Sequence, residues 1–302
     1  MKKTINAIVT MPPYAPFIDE VIEHPLVKGI RLNIVMPIKK DKREELLKGL
    51  YEKTKNKNKE LWLDLKCRQL RTENYGVPPF TEIELSHKIQ VYTPCKAYFS
   101  DRSISATILE VDGNKLIMQE GPKRVIGPGE SVTIPHPTLQ IEGYLTDKDK
   151  EYIETGNKIG LKNYMLSFVE KKEDIEELKK YCKDATIISK IESQKGIDNL
   201  KEINTRLMAA RGDLYMELNW PHEIIFAVEK ILAKDENAMV ASRIFSSLEE
   251  RLEPSCEDLG DVDNLLRMGY KTFMFGDDIC FKKDSIIGAL NLLSIMARRY
   301  VG

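Results

Sequence analysis

Two short stretches of this chain carry charges at spacings that can do chemistry. In Ile187-Ile188-Ser189-Lys190-Ile191-Glu192-Ser193 an apolar run ends in a cation and a carboxylate two residues apart. Side chains alternate between the faces of a strand, so Lys190 and Glu192 leave it on the same side and address one cavity. Further on, Ala209-Ala210-Arg211-Gly212-Asp213-Leu214 closes a second apolar run and brings another carboxylate. On neighbouring strands Glu192 and Asp213 stand side by side. Two carboxylates with few other protein contacts suit Mg²⁺ or Mn²⁺, which leave most of their coordination to water and substrate oxygens. Plainer roles are open to the same residues: Lys190 and Glu192 as an internal ion pair, Asp213 as the cap of a following helix.

Positioning such charges together requires parallel strands that end on one side. Apolar runs rich in β-branched residues recur at Thr4–Thr10, Gly29–Val35, Leu61–Lys66, Tyr164–Phe168, Ala185–Lys190, Arg206–Ala210, Ala238–Ser242 and Thr272–Phe275. Between them lie amphipathic stretches: KREELLKGLYEK after the second run, EDIEELKKYC after the fourth, IDNLKEI after the fifth, HEIIFAVEKIL after the sixth and CEDLGDVDNLLRMG after the seventh, with DSIIGALNLLSIMARRYV as a final helix. Eight strands alternating with helices predict an α/β fold, a TIM (β/α)8 barrel. Barrel active sites gather at the C-terminal ends of the strands. The polar residues there are Thr10, Arg31 with Asn33, Asp64 with Lys66, Lys190 with Glu192, Arg211 with Asp213, and Ser242.

One region breaks the alternation. Over 73–140 the helical period is lost, and IELSHKIQVYTP, SISATILEVDGNKLIMQ and ESVTIPHP read as strands joined at turns such as Val111-Asp112-Gly113-Asn114. The expected division is a barrel over 1–72 and 141–302 with a small β-rich lid over 73–140, inserted after the third strand.

Composition narrows the class of ligand. Lys and Arg total 46 against 47 Asp and Glu, a net charge of −1, which gives no field of the kind that gathers nucleic acid. Cys67, Cys95, Cys182, Cys256 and Cys280 form no CxxC pair, so neither a zinc site nor a disulfide framework is expected. The opening MKKTINAIVTMPPYAP is too interrupted for a signal peptide or a membrane span. The expectation is a cytoplasmic protein acting on a small charged molecule, with a homo-oligomer left open.

At these residues the sequence resembles the pyruvate kinase family. IISKIES stands where the family signature reads IISKIEN, and Ala210 to Tyr215 where it reads ARGDLG. Gly29-Ile30-Arg31-Leu32-Asn33 is similar to the ARMNFSH segment, and Leu63 to Thr72 to LDTKGPEIRT. Tyr98 to Ser105 resembles the lid segment YVDDGLIS, Val132 to Pro135 VNLP, and Leu145 to Asp149 LSEKD. Val240-Ala241-Ser242-Arg243 is similar to the CATQ strand end, and Pro254 to Gly269 to PTRAEVSDVANAVLDG.

The resemblance implies phosphoryl transfer between phosphoenolpyruvate and a nucleotide, with ADP and ATP as partners and Glu192 and Asp213 as ligands of a divalent metal. It gives Lys190 and Arg31 to the phosphoryl group in flight, the N–H groups of Arg211, Gly212 and Asp213 to the substrate carboxylate, and Ser242 to the face where carbon is protonated. Asn33, Asp64 and Arg71 then line a phosphate and cation region, and Asp101 the closing edge of the lid. Departures are equally specific. The Ser and Thr hydroxyls of the family's monovalent-cation site are Val35 and Leu65, so no K⁺ requirement is expected. TKGPE becomes Leu65-Lys66-Cys67-Arg68-Gln69, where Arg68 could supply the lost charge, and GDLG ends in Tyr215 rather than Gly. SGET becomes Gly276-Asp277-Asp278-Ile279, the lid is shortened, and no effector domain is expected after the last helix. Two other readings keep Lys190, Glu192 and Asp213: a metal-dependent 2-keto acid lyase or decarboxylase working through an enolate, and a catalytically silent binding protein.

Overall fold

In the computed structural model, which describes residues 4–77, 82–100, 104–120 and 123–300, the eight expected runs become eight parallel strands closed on themselves. They are β1 (Asn6–Thr10), β2 (Val27–Asn33), β3 (Glu60–Leu65), β4 (Asn163–Leu166), β5 (Thr186–Ile191), β6 (Arg206–Ala210), β7 (Met239–Ala241) and β8 (Thr272–Phe275). Each pairs with its neighbours in sequence, and β1 pairs with β8 to close the barrel. The chain divides into two compact units, Met1–Leu65 with Glu151–Gly302, and Lys66–Lys150, against expected limits of 73 and 140.

The barrel interior follows from the period of two. Ile8, Trp62, Met165, Ile188, Met208, Met239 and Met274 form one buried cluster, contributed by seven of the eight strands. Two residues further on, in the same direction, come Thr10, Asp64, Ser167, Lys190 and Ala210. The residues that plug the barrel and the residues that carry charge therefore share one face, the plug lower and the charge at the C-terminal ends.

Helices cover the outside by their apolar stripes. Arg43–Asn56 buries Leu47 and Leu50, and Cys256–Met268 buries Val262, Leu265 and Leu266. The latter starts where Ser255 Oγ accepts the Asp258 N–H at 3.1 Å and stops at Gly269, whose φ of +113° a side chain would resist. Among the described residues no helix is long and apolar enough to cross a membrane.

Several boundaries differ from expectation for local reasons. β2 stops at Asn33, not Val35, because the chain turns there: Met36 N–H donates to Asn33 O at 3.0 Å and Val35 N–H to Asn33 Oδ1 at 3.2 Å. β4 stops at Leu166, since Phe168 adopts φ +50°. The helix expected over IDNLKEI is a short α-turn at Gln194–Asp198 followed by a 3-10 turn at Leu200–Glu202. A helix over Asp147–Ile159 was not expected, although Thr146 and Asp149 cap it reciprocally, a T-x-x-D box legible in the sequence.

The inserted unit is an antiparallel sheet in which Cys95–Phe99 and Ile104–Asp112 form one hairpin and Ile104–Asp112 and Lys115–Met118 the next. The second hairpin turns at Gly113-Asn114, as expected, with Gly113 at φ +61°. Ile83, Leu85, Phe99, Ile108 and Leu116 fill its core. Asp149 is the buried knot of this unit. It accepts from the N–H groups of Lys66 at 2.8 Å, Cys67 at 3.0 Å and Thr146 at 2.9 Å, so it ties the first residues of the unit to its last. Burial still holds its carboxyl above the usual range, against the pull of those hydrogen bonds.

Gly29 is the tightest point of the barrel wall. A Cβ there would meet the Glu60 carbonyl oxygen at 2.7 Å and Glu60 Cβ at 3.0 Å, on the strand with which it pairs. Backbone cannot yield without opening β2 from β3, so Gly29→Ala is expected to destabilise by about 1–3 kcal/mol. Gly288→Ala, in the helix Lys283–Ala297 with nothing within 4 Å, should be neutral or stabilising by up to about 1 kcal/mol. Urea midpoints of the two variants measure the difference, and equal midpoints would refute the close approach.

Candidate active site

The strand ends of the barrel unit converge on Asp64, the next-to-last residue of β3, whose side chain is fully buried. Arg31 on β2 donates to its Oδ2 through Nε, at 2.7 Å, and through Nη2. Lys190 on β5 approaches Oδ1 at 3.3 Å and Oδ2 at 3.4 Å, while its shortest hydrogen bond, 2.8 Å, goes to Ser167 Oγ just beyond β4. Ser167 Oγ in turn lies 3.4 Å from Asp64 Oδ1. One carboxylate thus holds two cations from strands on either side of it.

Lys190 also pairs with Glu192, Nζ to Oε1 at 3.1 Å, so the expected shared face and the internal ion pair are both present. The second oxygen of Glu192 accepts the N–H of Phe168 at 2.9 Å, a contact that the left-handed turn at Phe168 makes possible. Glu192 is pushed up to about 7: burial raises it most, Lys190 opposes, and the negative charges of Asp213 and Asp64 add to the rise. Lys190 is held above its ordinary value, since burial lowers it but Asp64 and Glu192 more than compensate.

Asp213 lies in the first turn of the helix Arg211–Glu217, whose N-cap is Ala210, so it is not the capping residue. Its charge is felt by both Glu192 and Lys190. Among the described residues no group of three or more His, Cys, Asp and Glu forms a ready metal cage. Glu192, raised mainly by burial and further by the negative charge of Asp213, supplies with Asp213 the hard carboxylate oxygens that Mg²⁺ or Mn²⁺ takes, and a divalent cation there would offset both causes of the rise.

Arg31 is clamped from a second side. Its Nη1 donates to Thr10 Oγ1 at 2.8 Å and to Asp277 Oδ2 at 3.2 Å, and Thr10 hands its own proton to the Phe275 carbonyl at 2.7 Å. Burial lowers the guanidinium's affinity for its proton, but Asp64 and then Asp277 raise it above the ordinary arginine value. Asn33 Nδ2 donates to the same Asp277 oxygen at 3.0 Å.

On the opposite arc, Gly212 comes so close to Ser242 that a Cβ would stand 3.3 Å from its Oγ. Ser242 and Arg243 both take positive φ, +67° and +55°, a pair that non-glycine residues adopt only when held. Arg211 holds them: Nη2 donates to the carbonyls of both at 3.0 Å, and Asp261 grips the guanidinium at 2.7 and 2.8 Å. The Arg211 side chain is therefore a brace, while its N–H, with those of Gly212 and Asp213, begins the helix.

Two expected residues belong to the inserted unit, and a third lies outside the described residues. Arg71 belongs to the inserted unit, where it bonds Gln69 Oε1 at 2.7 Å and the Gly129 carbonyl. Arg68, in the same unit, lies over the Tyr144 ring at 4.8 Å. Asp101 lies outside the described residues.

Thr10, expected among the polar strand ends, bonds Arg31, and Ser167 and Asp277, which are not among them, bond Lys190 and Arg31. From sequence the fourth and eighth strands carry no expected polar strand end. Ser167 and Asp277 fill those two vacancies; Ser167 was hidden because the expected strand ran past it to Phe168.

The family described as "Pyruvate kinase, barrel domain" matches residues 80–279. Curated relatives include pyruvate kinase of Lactobacillus delbrueckii subsp. bulgaricus, 29% identical over 254 residues, which covers 72% of this chain and 43% of that protein. The Thermotoga maritima pyruvate kinase is 30% identical over 213 residues, 66% of this chain and 44% of its own length. Pyruvate kinase 2 of Saccharomyces cerevisiae is 27% identical over 228 residues, 71% and 44%. The matched parts are thus less than half of each of these relatives.

Removing Asp64 leaves two buried cations without their shared anion. Asp64→Ala is expected to destabilise the barrel by about 3–5 kcal/mol, the usual cost of breaking one side of a buried pair. Asp184→Ala, which breaks the exposed Lys162–Asp184 pair and a long contact from Cys182 Sγ, should barely move stability. Chemical unfolding of both variants tests this, and similar small losses would show that Asp64 is not the hub.

Proposed function

The chain belongs to the pyruvate kinase family, and from that premise we propose that it transfers a phosphoryl group between phosphoenolpyruvate and a nucleoside diphosphate, with Mg²⁺ or Mn²⁺ held by Glu192 and Asp213. The supporting observation is the placing of Lys190 Nζ, 3.1 Å from Glu192 Oε1 and bonded to Ser167 and Asp64, with the charge of Asp213 felt by both Lys190 and Glu192. A bound divalent cation would supply Lewis-acid polarisation of the substrate's carboxylate and its keto or enol oxygen.

The protein's own groups do the rest. Lys190, fixed by three partners, offers a preorganised positive charge to the phosphoryl oxygens and to the enolate left behind. Arg31 offers its guanidinium edge from β2. The first N–H groups of the helix Arg211–Glu217 would receive the substrate carboxylate, and Ser242, pressed on Gly212, would face the carbon that gains a proton.

A monovalent cation is not part of this proposal. Asn33 Oδ1 already accepts the Val35 N–H, and Asp64 already meets Arg31 and Lys190. Turnover should be the same in K⁺ and in tetramethylammonium buffers; strong activation by K⁺ would overturn this part.

The central test is Mn²⁺-dependent binding of oxalate, a mimic of enolpyruvate, followed by calorimetry. Glu192→Gln and Asp213→Asn, which keep volume and remove charge, should abolish it, whereas Lys190→Arg should keep it and lose about 10²–10³ in turnover. Unchanged oxalate affinity in both carboxylate variants would remove the metal site from the reading.

A further inference from the structure

Asp277 accepts hydrogen bonds in a place made for an anionic oxygen. Arg31 Nη1 at 3.2 Å and Asn33 Nδ2 at 3.0 Å converge on its single Oδ2. Both donors come from β2, two residues apart and therefore on one face. A charged and a neutral N–H meeting at one point form a seat for an oxygen of a phosphoryl or carboxylate group.

Arg31 has little else to offer a ligand. Of the five N–H groups on a guanidinium, two go to Asp64, one to Thr10 and one to Asp277. The acceptors are not equally fixed. Asp64 and Thr10 are fully buried, whereas the Asp277 side chain is 31% exposed and heads a helix of only four residues. Asp277 is the acceptor able to leave.

We propose that Asp277 is a specificity-determining residue whose carboxylate occupies the seat of one phosphoryl oxygen, so that a phosphorylated substrate must displace it and an unphosphorylated 2-keto acid need not. The inference rests on the phosphotransferase reading, in which Arg31 faces the phosphoryl group. Two anionic oxygens cannot share the same donors at hydrogen-bond distance in a partly buried site, where charge is weakly screened. Asp277 therefore weakens binding of the phosphorylated partner and leaves the unphosphorylated one untouched.

Calorimetric titration of the full chain with Mn²⁺ tests this, using phosphoenolpyruvate and oxalate in turn on the wild type, Asp277→Asn and Asp277→Ala. Phosphoenolpyruvate should bind at least about tenfold more tightly to Asp277→Ala, and oxalate should change by less than about twofold. Asp277→Asn keeps an acceptor oxygen without the charge, so it should fall between, and it carries the comparison where Asp277→Ala melts markedly lower. An unchanged ratio of the two affinities in both variants, with oxalate binding intact in the wild type, overturns the role of Asp277 while the metal-site reading stands. A wild type that does not bind oxalate with Mn²⁺ removes the metal-site reading, and the inference with it.

Discussion

A single buried carboxylate between two cations organises the barrel unit's strand ends. Arg31 and Lys190 repel each other, and each lowers the other's tolerance for burial. Asp64, on β3 and with no exposure, lets both be buried at once. The remaining contacts then fall into place around it: Thr10 and Asp277 orient the side of Arg31 that Asp64 leaves free, and Ser167 and Glu192 do the same for Lys190. A buried ion pair on its own is weak evidence of stabilisation, because desolvation offsets most of the attraction. A buried cluster in which each charge has two or three fixed partners instead constrains geometry, and fixed geometry is what electrostatic catalysis requires.

The cluster can exist because the barrel sorts residues by height along a strand. The same alternation that sends Ile8, Trp62 and Ile188 into the interior sends Thr10, Asp64 and Lys190 to the same side two residues later. Below, apolar side chains exclude water and lower the local dielectric. Above, the charges gain from that low dielectric as long as each is paired. Fold and site thus rest on one periodicity, with the chemistry added only at the last turn of each strand.

That periodicity is why much of the molecule could be read without coordinates. Eight strands, the break in pattern that marks the inserted unit and the shared face of Lys190 and Glu192 are all local features, set by side-chain alternation and turn chemistry. What escaped is of two kinds. Ser167 was missed because one residue, Phe168, leaves the strand in a left-handed conformation that its type does not advertise. Asp277 and the bracing role of Arg211 were missed because their partners lie far away in sequence, at Arg31 and at Asp261. Sequence spacing reports which residues share a strand face; it does not report which strand end meets which across a closed barrel.

The departures from the family motif are also better understood in space than in sequence. Tyr215 stands where GDLG has glycine, and Arg243 where CATQ has glutamine, and read singly each is an unexplained bulky substitution. In the structure they touch: the Arg243 guanidinium lies 4.5 Å from the centre of the Tyr215 ring. A cation over an aromatic face is an attraction of roughly 0.5–1 kcal/mol at an exposed site, modest but directional. It adds to the hold that Arg211 already exerts on the carbonyls of Ser242 and Arg243, where two consecutive left-handed residues need an outside restraint. The two residues that depart from the motif thus meet in one contact, next to the turn whose carbonyls Arg211 holds. The charged cluster around Asp64 and the braced turn at Ser242 are held by separate sets of side-chain contacts, so the position of Ser242 is set by Arg211 and Asp261 and not by the partners of Asp64.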